Sequence, residues 1–341
     1  MHVKLTEIKL FSLGFVSLIL LVVLSGCAGT NMGASNNGNS TTQSLYDVKT
    51  PKAFKAKQQV AIGGFKVSFL IEQKMTAKNR GSFLGGGGGM ARATAHVKLN
   101  GISKELMQTI TDQAYKNFIN NLKSNGYSIV SKDKLLKNKT FSEVVTKDSP
   151  LSTDESMPSF KGNALVFAPS GEKLRLFANQ GDGLQAYGWT SPESGFSKAA
   201  EELGIPILDV HYVVTFAYSQ KYNGRDMANI SVGQSIQVHR GSRTQITSGQ
   251  GGTFSTNIGS ISLSKEVVSS KQFANVVKEE KSTMNKVGSV ISAGLTVLLG
   301  GGERELETYI YNADPIKYKA ATLEVLENAN KGIVSEMVSL R

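Results

Sequence analysis

The sequence predicts an α+β or α/β body: a mixed β-sheet with packed helices, carrying a β-rich insertion. Three observations lead there. Two segments repeat apolar residues at helical spacing, several runs are rich in β-branched and aromatic residues, and helix and strand signals alternate along the chain. Of the 341 residues, 40% are hydrophobic and 19% charged. That is enough apolar material for a core and too much for a wholly disordered chain.

The body opens at residues 60–70 (VAIGGFKVSFL), which read as a buried strand. A glycine-rich turn at 85–89 leads to a second strand at 93–99. The clearest helix follows. Ser103 can cap it, Glu105 favours its positive end, and Leu106, Ile110, Ala114, Phe118 and Leu122 recur every four residues, with Tyr115 and Ile119 widening the stripe. Asn125 and Gly126 stop it, and residues 127–130 form a short strand.

Between 132 and 193 the pattern thins. A short helix is expected at 132–136, short strands at 165–167 and 174–177, and a helix at 196–203 ending at Gly204. The run ILDVHYVVTFAY, 207–218, is the strongest strand signal. Asn223-Gly224 turns it back into a partner in which Ile230, Val232, Ile236 and Val238 form a hidden face, while Ser231, Gly233, Ser235, Gln237 and His239 form a polar exposed one. A turn at 240–242 returns the chain through 244–247. The last helix starts at Asp314-Pro315, with Ile316, Leu323, Leu326, Ile333, Val334 and Met337 on its apolar side.

The amino terminus carries the most specific signal. Lys4 and Lys9 precede an apolar run, residues 10–24, that is shorter than the roughly 20 residues needed to span a bilayer as a helix. The run ends in Leu24-Ser25-Gly26-Cys27, and Cys27 is the single cysteine. This tetrad resembles the lipobox of bacterial lipoproteins. The resemblance implies removal of residues 1–26, a covalent diacylglycerol and an N-acyl chain (palmitate or similar) on Cys27, and no other cofactor. Each buried methylene adds about 0.8 kcal/mol, so several acyl chains make a lasting anchor. Ala28, where an aspartate would imply inner-membrane retention, points to the outer membrane. Residues 27–50 then hold the lipidated cysteine and a tether whose polar stretch has a reach of about 20–24 Å, and residues 51–341 form the periplasmic body.

The net charge of +11 permits nucleic acid or an anionic surface as partner. Periplasmic exposure argues for membrane and envelope partners and against nucleic acid. The lysine clusters 52, 55, 57 and 132, 134, 137, 139 are expected to be solvated faces or, in an outer-membrane lipoprotein, contacts to anionic lipid or an acidic partner.

The search for chemistry is mostly negative, and no catalytic, cofactor or metal residues are assigned. His96, His211 and His239 lie in different strands without a zinc-ligand spacing, and each is expected to be an ordinary strand residue. Residues 86–91 fit G-x-G-x-x-A but precede a strand where a dinucleotide fold needs a helix. Asp112, Asp182 and Asp209 are scattered carboxylates, and Asp112 with Tyr115 reads as one exposed and one half-buried helix residue. Residues 287–299 (VGSVISAGLTVLL) are too short for a spanning helix, though not for a tilted strand. They read as a buried core segment, an oligomer contact or a membrane-touching element.

The order of VAIGGF, NNLKSNGYSIVSKDKL, ILDVHYVVTFAY, SIQVHRGSRTQITS and KAATLEVLENANKGIVSEMV resembles the periplasmic domain of CsgG-like outer-membrane lipoproteins, curli assembly and transport components. Leu122, Gly126, Tyr127, Ile129 and Val130 match one pattern of that family, and Asp209, Tyr212 and Val214 loosely match another. The resemblance implies a CsgG-like or anticodon-binding-domain-like body. It departs from the family at 218–230, read as a short loop without room for one long pore-forming hairpin, and at 249–312, an insertion. The expected function is a non-enzymatic structural or assembly component of an envelope secretion or appendage system. It would be an oligomer with itself or with envelope proteins. A periplasmic hydrolase and a peptidoglycan- or small-ligand-binding lipoprotein are the alternatives.

Overall fold

The computed structural model describes residues 44–78, 92–157, 160–176, 192–223, 228–252, 255–279, 290–291, 297–299 and 305–341. In chain order the first half supplies β1 (Tyr46–Lys49), β2 (Gln59–Leu70), β3 (Glu72–Lys78), β4 (Arg92–Asn100), α1 (Lys104–Ser124), β5 (Ser128–Ile129), α2 (Lys132–Lys137), α3 (Lys139–Ser142), β6 (Leu151–Met157) and β7 (Phe160–Phe167). The second half supplies α4 (Pro192–Leu203), β8 (Ile207–Asn223), β9 (Ala228–Val238), β10 (Arg243–Gly252), β11 (Ser255–Leu263), β12 (Val267–Val268), β13 (Ala274–Lys278), β14 (Val290–Ile291), β15 (Val297–Leu299), β16 (Glu305–Ala313) and α5 (Pro315–Ser339). The fold is mixed α/β, a large mixed sheet with five α-helices among the described residues.

The strands run in the order β1-β11-β10-β8-β2-β7-β3-β4-β16-β13-β14, with β6 on β7, β5 on β2, and β9 on β8. The pairs β2 with β8, β4 with β16 and β2 with β5 are parallel. Residues 249–312, read as an insertion, thus supply β11 to β16 of the same sheet, and β16 fills the place beside β4.

Alternation along β2 sends Phe65, Val67 and Phe69 to one face and Lys66 and Ser68 to the other. The first face meets the helices. Phe65 packs within 5.3 Å of Tyr115, 5.8 Å of Phe118 and 5.9 Å of Tyr212, measured between ring centroids. Helix α1 is capped as its sequence predicts, the Ser103 hydroxyl accepting from the Leu106 N–H at 3.2 Å, and Gly126 beyond its end has a φ of 80°. Asp314 caps α5 through the N–H groups of Ile316 and Lys317. Asn330 ties both helices to the sheet. It accepts from the Tyr212 hydroxyl at 2.8 Å and donates to the Ala114 carbonyl at 3.0 Å.

Several expectations change. Ile316 is 81% exposed, because the buried stripe of α5 runs through Tyr318, Ala321, Thr322 and Val325, and two residues of helix turn Ile316 about 200° away from Tyr318. Residues 218–230 are not a short loop: β8 and β9 stay paired out to Asn223 opposite Ala228. Ser235 and His239, expected on an exposed face, are buried, His239 against the Phe160 ring at 5.1 Å. Leu174 forms an isolated bridge to Lys147 rather than a strand. Strands β1, β3 and β6 carry no clear sequence signal. The 85–89 turn lies outside the described residues, and of 287–299 only β14 and β15 lie within them.

Two glutamines close irregularities in the sheet. The extra residue that β9 places opposite β8 between Thr215 and Ala217 disturbs the ladder there. The Gln73 carboxamide fills in as a second backbone, accepting from the N–H groups of Phe216 and Ala217 and donating to the Ala217 carbonyl. Gln234 does the same for Phe273 and Ala274 at the entry to β13.

Candidate functional site: the buried charged face of the sheet

The face of β2 and β8 turned away from α1 and α5 is polar and buried. Lys66 Nζ lies 2.6 Å from Asp209 Oδ1 and 2.8 Å from Oδ2, with the two side chains 1% and 2% exposed. One rung further along the parallel ladder, Ser68 Oγ and His211 Nε2 are 2.8 Å apart. A bulge in β2 between Ile62 and Gly64 makes room for the ion pair. A Cβ on Gly64 would collide with the Asp209 carboxylate, and one on Gly63 with Ile207 and Phe196, so both glycines are required by close approach.

The face is roofed by α2, α3 and α4, whose Leu135, Phe141, Phe196, Ala199 and Ala200 form a small core with Ala61 and Ile207. Strand β6 brings Thr153 and Glu155 alongside, both buried, with the Ser68 and Thr153 hydroxyls beside the Glu155 carboxyl. At the rim, Lys132 Nζ bonds Glu172 Oε2 at 2.6 Å, and the Arg175 guanidinium stacks 4.3 Å over the Phe141 ring. The lysine cluster at 132–139 is therefore not wholly a solvated face: its first member turns inward.

Burial governs the protonation states. Lys66 is drawn below the usual lysine range by desolvation, with Asp209 pulling it back up. His211 is held well below its usual value by burial and by the positive charges of Lys66 and Arg243, so its imidazole is neutral. His239 is lowered for the same first reason. Glu155 is pushed up to about 7 by burial, and the hydroxyls of Ser68 and Thr153 offset part of that rise. Tyr115 is pushed up to about 12 by burial and by Glu172.

The residues singled out from the sequence fall in separate places. His211 belongs to this face. His96 lies on β4, its Nε2 3.5 Å from Glu72 Oε2. His239 borders a cavity of about 240 Å³ shared with Met75, Phe160, Thr215 and Glu266. Asp112, expected to be exposed, is half-buried and accepts from the Ser170 N–H and hydroxyl at 2.7 and 2.6 Å, while Asp209 is paired with Lys66. Leu24, Ser25, Gly26, Cys27, Asp182 and the 86–91 segment lie outside the described residues. Among the described residues no three His, Cys, Asp or Glu side chains converge as metal ligands.

Sequence reading did not find Lys66, Ser68, Glu155 or Arg175. Lys66 and Asp209 stand 143 residues apart, so no local spacing announces them. The one available signal was a lysine and a serine inside an otherwise apolar strand. Chemically, the face holds one compensated ion pair, one hydroxyl–imidazole contact and a carboxyl that changes charge near neutrality. No known protein family, curated protein or solved structure matches the chain.

Asp209→Ala strands the Lys66 charge and is expected to lower stability by about 3–5 kcal/mol in urea unfolding. Lys66→Met with Asp209→Val together should cost much less, since no charge is then left buried; equal losses in the two variants would contradict this. Glu155 also fixes a pH dependence. Its folded value lies above its ordinary 4.5, so its contribution favours the fold at low pH and is lost as pH rises through 7. The two lowered histidines act oppositely, their contribution being lost as pH falls below 6.5. The stability gained by Glu155→Gln should therefore be roughly 2–3 kcal/mol greater at pH 8 than at pH 5. A gain independent of pH would show that Glu155 is ionised in the fold.

Proposed function

We propose that this chain is a lipoprotein held through Cys27 on the periplasmic face of the outer membrane, with a body that serves as a structural component of an envelope secretion or appendage assembly. The anchor rests on the Leu24-Ser25-Gly26-Cys27 tetrad behind a short apolar run. The assembly role rests on how the sheet is laid out. Strand β3 continues β2 in the same direction, β8 is parallel to β2, and β13 reaches the same end through β16 and β4. Strands β3, β8 and β13 therefore all finish at one end of the sheet. That single observation carries the reading: three strand ends on one side offer a place for neighbours to dock.

Unpaired strand edges support self-association. Among the described residues β1 pairs only with β11, and β6 only with β7, the kind of strand edge at which another chain can pair. The finer likeness to a CsgG-like or anticodon-binding-domain-like body belongs to the same proposal, supported by the succession of β4, α1 and β5 and by α5 lying beside α1. No helix among the described residues is long and apolar enough to cross a membrane. The partners are thus lipid, envelope proteins and further copies of the chain.

Cys27→Ala is expected to lose acylation and to leave the outer-membrane fraction on density-gradient separation of cell envelopes. Fractionation unchanged from the wild type would contradict the anchor.

A further inference from the structure

The charges on the roofed face do not balance. Asp209 is taken up by Lys66 and Glu172 by Lys132. Arg175, 6% exposed, feels the carboxylates of Glu172 and Asp209 only at a distance: its Nε lacks a hydrogen-bond partner, and it forms no salt bridge among the described residues. A guanidinium cannot shed its proton in a protein, so the charge stays. Stacking on Phe141 at 4.3 Å covers one face of the fork, while the in-plane Nε–H is left without a hydrogen-bond partner. Lys132 Nζ sits 6.0 Å from the centroid of the same ring, near enough to Arg175 for the two charges to repel. Lys132 and Glu172 are 27% and 16% exposed, so this corner of the roof reaches solvent.

We infer that Arg175 and Lys132, set over Phe141, form a binding site for a compact oxyanion, phosphate or a phosphate group carried on a larger molecule. The planar fork of Arg175 supplies paired donors matched to two oxygens of one anion, and Lys132 supplies a point charge at the entrance. Glu172 keeps Lys132 in place and bars a second anion. The depth of Arg175 limits the site to one small group. A phosphate could arrive free or as a lipid headgroup, and both present the same oxygens. The inference is independent of the assembly role and of the anchor.

The test uses the full-length protein in mild detergent, with inorganic phosphate as probe against chloride at equal ionic strength. Calorimetric binding and thermal unfolding should both report phosphate-specific stabilisation. Arg175→Met should weaken phosphate binding about 10-fold or more, and Arg175→Lys, which keeps the charge but loses the fork, should weaken it as well. Arg175→Met can raise intrinsic stability by removing a buried charge, so the binding isotherm rather than the melting temperature decides. Pelleting with phosphatidylglycerol vesicles, against phosphatidylcholine, identifies the source. Arg175-dependent pelleting marks a headgroup, and phosphate binding without pelleting marks a free ion. No phosphate effect beyond that of chloride, or equal binding by wild type and Arg175→Met, would overturn the site.

Discussion

The parallel pairing of β2 with β8 is the constraint on which the remainder rests. It joins segments 143 residues apart at the centre of the sheet, and it carries a buried ion pair on one face and an aromatic cluster on the other. Neither face tolerates a slip. A shift of one residue would turn Lys66 and Ser68 towards α1 and α5, and Phe65 and Val67 towards the roof. The Gly63-Gly64 bulge sets the register where the ladder would otherwise crowd Asp209, which explains why two glycines interrupt a largely buried strand. A buried ion pair of this kind need not add net stability; its clearer effect is that alternatives lacking it leave a charge stranded.

From this centre the molecule differentiates into two ends. Towards the start of β2 and β8 the polar face is closed by α2, α3 and α4, and the ionisable groups gather there. Towards their far ends the sheet runs on into paired extensions, with Gln73 and Gln234 repairing the ladder where strands change partners. One end is thus rich in fixed charge beneath a roof, the other in strand and turn. In the proposed envelope role, such a division would keep the surface offered to neighbours apart from the groups that titrate.

How much of this the sequence disclosed depended on whether the information was local. Helices α1 and α5, their caps, and strands β2, β4, β8 and β9 were legible because apolar periodicity and terminal residues state them within a short window. Strand β3 was not: it turns Gln73, Met75 and Ala77 inward, and the buried glutamine makes sense only beside the irregularity in β8. Strand β6 hides Thr153 and Glu155, so its pattern reads as polar loop. The charged face was illegible for the same reason. Its members come from β2, β6, β8 and the stretch around Arg175, and only the folded sheet brings them together. Cys27 is the opposite case, its context of three preceding residues and one apolar run being wholly local.

The central functional claim is that the anchored body works as part of an assembly. Light scattering coupled to size separation of the acylated protein, extracted from outer membranes in mild detergent, measures this directly. The account predicts a protein mass that is a multiple of one chain, or one chain with a stoichiometric envelope partner. A strictly monomeric particle, recovered with no partner even after cross-linking in the membrane, would contradict it.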